Sequence, residues 1–336
     1  MKDRKREHLE VIISEDVSYG HNYWDEFMLV HDALPEINSG DIDIQTNIFG
    51  KTLAAPMLIA GMTGGIKEAT LINEELARIA ERYQIGMGVG SQRAGLVDES
   101  VVESYHVIQK YNIPLKIANI GAPQLLEWND GIEQAERAIE MIDAHALAIH
   151  LNFLQEVIQP EGERNARGCV DKIKEMAAVL TTPVIIKETG AGISQKTMEK
   201  LMDSDIVGVD VGGAGGTSFA AVEKYRAKRR GDRIQEELGD IFWKWGIPTP
   251  YSLMEIAEMC HDAGMTVIAT GGIRHGLDVA KALALGADAA GVATAFLTCD
   301  SLEEKMEVFL ASLKAAMFLT GSATLEELRE VELWTW

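Results

Sequence analysis

The stretch IHLNFLQEVIQPEGER, residues 149–164, gathers His150, Asn152, Gln155 and Glu156 within seven residues, just where an apolar run stops. By the two-residue period of a strand, His150 and Asn152 point to one side, and Gln155 and Glu156 follow in the loop beyond. Imidazole and amide groups can hold and orient a polar substrate. A carboxylate such as Glu156 offers a hard oxygen ligand for Mg2+, which takes one or two carboxylates together with phosphate oxygens. Thr63, Ser91, Gln92, Arg93, Asn119, Lys187, Asp210 and Thr217 end other apolar segments in the same way. The N-terminal RKREHLEV carries Arg4, Lys5, Arg6 and His8. It reads either as a solvated tail or, with SQRA at 91–94, as a clamp whose guanidinium groups grip phosphate in bidentate fashion.

Eight apolar segments position these groups: AAPMLIAGMTGG, IGMGVGSQRA, PLKIANIGAPQ, ALAIHLNFLQE, PVIIKETGAG, IVGVDVGGAGGTS, TVIATGGIRHG and AAGVATAF. Each is followed by glycine or polar residues and then by a helical pattern, such as EATLINEELARIAERY or GLDVAKALALG. Repeated strand, loop and helix argue for a parallel sheet, and eight repeats for an α/β fold of the (β/α)8 TIM-barrel type. A doubly wound open sheet is the alternative, but it would not need polar residues after nearly every strand. Residues 1–50 form an N-terminal extension, with HDALPEINSGDIDIQTNIFG as an antiparallel ribbon closing the barrel bottom. Residues 218–262 or so form an insertion between strands six and seven. LEEKMEVFLASLKAAMFLTG near the C-terminus reads as an amphipathic helix. No linker stands out, so one domain over 1–336 is expected.

Composition excludes several classes of partner. The chain is 47% hydrophobic and 25% charged, as in an ordinary globular protein. Its formal net charge of −21 disfavours nucleic acid and anionic membranes. The basic run KYRAKRRGDR, 224–233, is the exception and reads as a solvated face or as a lid over an anionic substrate. No transmembrane stretch or signal peptide is visible, so a cytoplasmic protein is expected. Cys169, Cys260 and Cys299 are too few and scattered for a disulfide framework or a zinc site.

Glycine marks a phosphate site. ATGGIRHG after strand seven and GVATAF at strand eight stand where barrels bind phosphate through backbone N–H groups, and GGAGGTS after strand six adds Thr217. No G-x-G-x-x-G can be placed, because GMGVGS and GGAGGTS both fail its spacing. Lys187 closes the apolar TTPVIIK, where burial requires an anionic partner. The charge suits a site beside a flavin or an anionic intermediate.

These motifs together resemble the type 2 isopentenyl diphosphate isomerases, the flavin-dependent class. The likeness runs through RKREHL, MTGG, GSQRA, HLNFLQE, KETGAGIS, GGAGGTS, TGGIR and GVATAF, over nearly the whole chain. It implies an FMN-dependent barrel that interconverts isopentenyl and dimethylallyl diphosphate with reduced flavin and Mg2+, NAD(P)H supplying the reduction. It further implies that Arg4, Lys5, His8, Ser91, Gln92, Arg93, His150, Asn152 and Gln155 surround the diphosphate substrate and that Glu156 holds the metal. FMN would be contacted by Met62, Thr63, Gly64, Ser91, Asn119, Lys187, Thr217, Gly271, Gly272, Ile273, Ala293 and Thr294. Gln155, Lys187 and His150 are the catalytic candidates, and a homo-oligomer, tetramer or octamer, is expected.

Rival readings are weaker. A 2-hydroxy-acid oxidase needs a histidine and an arginine near strands six and seven to handle a carboxylate, and VGGAGGTS supplies neither. Enzymes resembling inosine monophosphate dehydrogenase need a nucleophilic cysteine in a comparable loop, and 212–218 has none. A silent flavin- or phosphate-binding scaffold would have no use for Glu156 or the Arg4 and Lys5 pair.

Overall fold

Each of the eight apolar segments forms a strand in the computed structural model, which describes residues 2–335, so that both end residues of the expected 1–336 unit lie outside it. The strands are β1 (Met57–Ile59), β2 (Gly86–Gly88), β3 (Lys116–Gly121), β4 (Ala146–Leu151), β5 (Val184–Glu188), β6 (Gly208–Asp210), β7 (Thr266–Thr270) and β8 (Ala289–Val292). All pair in parallel in chain order, and β8 returns to β1 to close the barrel. Their near-continuous burial follows from helices covering the outer face while side chains fill the inside.

The barrel bottom is sealed by a hairpin, Thr46–Ile48 with Lys51–Leu53, which is shorter than the ribbon expected over that region. Its turn places Phe49 and Gly50 at φ of 51° and 74°. Two consecutive positive values give the turn whose twist matches a hairpin. Ile48 and Leu53 then pack with Leu58, Leu115, Ile117, Ile185 and Ile268 at the barrel floor.

Three parts go beyond the sequence reading. The N-terminal residues are no tail: Lys2–Ser14 is a helix whose Val11 packs with Val17, Ala221 and Val222. The insertion after β6 is helical, with Phe219–Arg230, Arg233–Ile241 and Thr249–Asp262. Phe27–Leu29 pairs antiparallel with Leu333–Thr335, joining the two ends of the chain in a small sheet. The expected C-terminal helix spans Leu302–Leu319, capped by the Ser301 side chain. The three cysteines are free thiols, Cys169 and Cys260 buried. No helix among the described residues is long and apolar enough to cross a membrane.

Register decides which polar groups meet. Gly121 stands beside His150, His150 beside Lys187, and Lys187 beside Asp210 on successive strands. Three ionisable side chains therefore share one layer at the C-terminal end of the barrel.

Candidate active site

Lys187 finds the anion that its burial demands. Its Nζ donates to Asp210 Oδ2 at 2.6 Å, with both side chains almost wholly buried. The sequence analysis singled out Asp210 only as a strand-end residue; the register makes it the counterion of Lys187. Next to this pair, His150 Nδ1 lies 2.7 Å from Asn119 Oδ1. The Asn119 amide donates to the Val89 carbonyl, which turns its oxygen to the ring and makes Nδ1 the protonated nitrogen. Burial first, then the charges of Lys5 and Lys187, push the His150 pKa down to about 3. The imidazole is neutral at physiological pH, so it can donate a hydrogen bond but cannot serve as a cationic acid.

Beyond β4, Asn152 opens the helix Phe153–Ile158. Its amide donates to Glu156 Oε1 at 3.0 Å, while Gln159 Nε2 and the Glu163 backbone N–H bind Glu156 Oε2 at 2.6 and 2.8 Å. The Glu156 carboxylate is thus buried and oriented by three donors. Gln155 turns the other way and donates to Glu223 Oε1 at 3.0 Å. Burial alone would raise the Glu223 pKa, but the His8 hydrogen bond, the Arg226 charge and the Gln155 amide bring it down to about 2.

Lys5 reaches in from the N-terminal helix. Its Nζ donates to the Ser91 carbonyl at 2.6 Å and to the Tyr105 hydroxyl at 3.0 Å, so its immediate partners are neutral oxygens. Gly65 makes room for it: at φ of 80°, a Cβ there would lie 2.8 Å from the Tyr105 hydroxyl and 3.2 Å from Lys5 Cδ. Burial and the nearby Arg4 charge lower the Lys5 pKa to about 7. A lysine depressed in this way is charged below pH 7 and loses its proton as pH rises through that value; an arriving polyanion pulls the pKa back up. Diphosphate binding at pH 8 should therefore take up about one proton, and affinity should fall as pH rises past 7. Calorimetry in two buffers of different ionisation enthalpy reads this, and zero uptake would mean that Lys5 stays charged throughout.

Other expected residues occupy different places. Arg93 bonds Glu127 Oε2 at 2.8 Å at the rim. Gln92 is fully buried, its amide donating to the Ala138 carbonyl and accepting from the Asn119 N–H. The Gln92 side chain thus ties the end of β3 to the helix that carries Ala138. Met62, Thr63 and Gly64 form the loop after β1, where the Thr63 carbonyl accepts from the Gly90 N–H.

Three loops meet across the barrel mouth. Thr217 and Thr294 join hydroxyls at 2.7 Å, linking the loops after β6 and β8. The Gly271 and Gly272 carbonyls are held from outside by Trp24 Nε1 and Asn22 Nδ2, at 2.9 and 2.7 Å. Gly271 has φ of 122°, and a Cβ there would lie 2.3 Å from both the Gly213 carbonyl oxygen and Thr249 Oγ1, so two glycine loops touch where no side chain fits. Ile273 turns its side chain into the core and has only its backbone to offer a ligand.

Residues 143–335 match the family model described as FMN-dependent dehydrogenase. The chain is 44% identical to an isopentenyl-diphosphate delta-isomerase of Thermoplasma volcanium, over 99% of this chain and 96% of that one. It is similarly 44% identical to the enzyme of that name from Thermoplasma acidophilum, covering 97% and 94%, and 47% identical to that of Methanosarcina barkeri, covering 97% and 90%. The chain belongs to the type 2, FMN-dependent isopentenyl-diphosphate delta-isomerases.

The residues of this isomerase-family barrel suit FMN. A narrow cavity inside the barrel, with room for about one water, runs from Leu58, Ile117, Ile185 and Ile268 up to Asn119, Lys187, Asp210 and Thr270. Thr270 Oγ1, at the end of β7, is a buried hydroxyl without a protein partner, which a ligand atom reaching the end of that strand would satisfy. They suit Mg2+ in one way only. Among the described residues no group of three or more His, Cys, Asp or Glu side chains could hold a metal. Glu156 would therefore have to act as a single carboxylate whose cation shares oxygens with a bound phosphate, the habit of Mg2+. Asn152 Oδ1 and Gln159 Oε1 are buried without partners, and would be the further oxygens at hand. Glu156→Gln should raise the Mg2+ concentration needed for half-maximal turnover at least about tenfold and leave FMN binding intact. An unchanged Mg2+ titration would remove Glu156 from the metal site.

Sequence reasoning missed Tyr105, Glu223 and Arg226. The last two lie in AVEKYRAKRR, where charges three apart on a helix have the spacing of a solvated face; only burial reveals otherwise.

Proposed function

We propose that this chain interconverts isopentenyl diphosphate and dimethylallyl diphosphate at the C-terminal mouth of its barrel, with FMN reduced, Mg2+ on Glu156, and NAD(P)H needed only to reduce the flavin. The observation that carries this reading is how the cations near the mouth are used. Lys5 has only neutral hydrogen-bond acceptors and suits an anion. Arg274 and His275, the arginine and histidine that follow β7, are committed elsewhere: Arg274 to Asp25 at 2.6 Å and Asp278 at 3.0 Å, His275 to capping the helix Gly276–Ala284. A flavin dehydrogenase of the hydroxy-acid type needs such a pair for its substrate, so the site favours chemistry without net electron transfer.

Reduced FMN, when bound, supplies an electron-rich ring that can exchange protons with an alkene and steady a neighbouring positive charge. Lys187, anchored by Asp210, keeps a fixed positive charge at the inner wall that favours an anionic ring. Neutral His150, set by Asn119, orients without giving up a proton as an acid. Gln155 is held by Glu223 and Asn152 by Glu156, so both amides are fixed before the substrate arrives. Arg4, Lys5, His8, Ser91 and Arg93 would surround the diphosphate, and Glu156 would hold its metal. The diphosphate undergoes no chemistry; gripping it positions the double bond, which is how remote binding energy lowers a barrier. The remaining FMN contacts fall to the loops bearing Met62, Thr63, Gly64, Thr217, Gly271, Gly272, Ile273, Ala293 and Thr294.

The unit is a single barrel acting as a homo-oligomer, a tetramer or octamer. Exposed Ile234, Ile241, Trp245 and Met254 on the insertion support an association surface there. The activity is tested by giving the purified protein FMN and dithionite in D2O and following the substrate by NMR. Deuterium entering the substrate and product at the allylic positions supports the reading, and no exchange with reduced flavin and Mg2+ present overturns it.

A further inference from the structure

The most deeply buried guanidinium of the molecule lies on the insertion, outside the groups assigned above. Arg226 sits within the helix Phe219–Arg230 with a side chain 1% exposed. Its three nitrogens reach three carboxylates on three segments: Nε to Glu7 at 2.9 Å, Nη2 to Glu161 at 2.7 Å, and Nη1 to Glu223. Arg230, one turn on, repeats two of these contacts, to Glu7 at 2.8 Å and Glu161 at 3.3 Å. Burying an arginine is costly unless every donor is satisfied, and a planar fork with carboxylates on several sides meets that condition.

The identity of the three segments gives the cluster its meaning. Glu7 is on the N-terminal helix that carries Arg4 and Lys5. Its neighbour His8 bonds Glu223 Oε1 at 2.7 Å, and His8 lies three residues after Lys5, on the same side of the helix. Glu161 follows the helix Phe153–Ile158, which carries Gln155 and Glu156. Glu223 itself accepts from Gln155. One guanidinium thus fixes, against a common helix, the arm that offers lysine to an anion and the arm that offers the metal carboxylate.

Resting on the functional reading above, we propose that Arg226 is the positioning residue of the diphosphate site, holding Lys5 and the Gln155–Glu156 helix at the separation a metal-bound diphosphate requires. It touches neither substrate nor cofactor. Releasing it should loosen the N-terminal helix and weaken binding of the anion, while the flavin loops after β6, β7 and β8 keep their contacts.

The test uses FMN-loaded full-length protein, with inorganic diphosphate and Mg2+ as the probe. Arg226→Lys keeps the charge but not the fork, and Glu7→Gln removes one carboxylate from both arginines at a half-buried position where folding is safe. Each should raise the calorimetric Kd for diphosphate about tenfold or more, raise KM more than it lowers kcat, and speed amide exchange in residues 2–14, with FMN affinity within about twofold of wild type. A role confined to general packing would instead lower thermal stability and FMN content together without that split. Lys5→Met is the control. If Lys5→Met weakens diphosphate binding while both other variants bind it as wild type does, the inference is wrong and the site assignment stands. If all three bind as wild type does, the site assignment falls and the inference with it.

Discussion

Asp210→Ala should destabilise the protein by about 3–5 kcal/mol, one of the largest losses expected from any single change at the barrel mouth, because it leaves Lys187 buried without its counterion. The pair is 2.6 Å apart and nearly inaccessible, so water cannot replace the missing carboxylate at small cost. Lys187→Met should be less damaging, since methionine fits the apolar stem and Asp210 keeps the Gly212 N–H at 3.3 Å. The two variants should part again when FMN is added. An anionic ring beside Lys187 can stand in for Asp210, so a fixed concentration of reduced FMN should stabilise Asp210→Ala more than it stabilises Lys187→Met. Denaturant titrations of both variants, with and without reduced cofactor, measure this. A loss under about 1 kcal/mol for Asp210→Ala would mean that the pair behaves as a solvated surface bridge.

Removing residues 1–8 should raise KM for the diphosphate at least about a hundredfold, with kcat less affected. Each charge-assisted hydrogen bond to an anion is worth roughly 1.5–3 kcal/mol, and the deletion removes both Arg4 and Lys5. It also takes Glu7 from Arg226 and Arg230, and His8 from Glu223. FMN affinity should change little, because Asn22 and Trp24, which hold the glycine loop after β7, remain. Wild-type KM in the truncated protein would return the N-terminus to the status of a mere appendage.

How much of this could be read beforehand depended on the range of the interaction concerned. The eight strands were visible because parallel barrel strands are buried on both faces and punctuated by glycine, a local pattern. His150, Asn152, Gln155 and Glu156 were visible because a strand end places them at the mouth wherever the neighbouring strands lie. Lys187 announced a need for an anion, but its partner depended on the β5–β6 register. The partners of the Gln92 amide, Ala138 and Asn119, were out of reach for a related reason, since both lie on other elements. The N-terminal helix was hidden because the contacts that order it, Arg226 with Glu7 and Glu223 with His8, span more than two hundred residues. Phe27–Leu29 and Leu333–Thr335 are three residues each and meet only across the whole chain.

The central claim is that this flavin site runs a redox-neutral isomerisation, and nucleotide stoichiometry tests it most directly. With oxygen excluded, NADPH absorbance is followed beside product formation from isopentenyl diphosphate. The account predicts that nucleotide is consumed once, to reduce the bound flavin, that many turnovers follow, and that dithionite or photoreduction replaces it fully. Consumption of one NADPH for each product molecule would contradict it and make the protein a reductase.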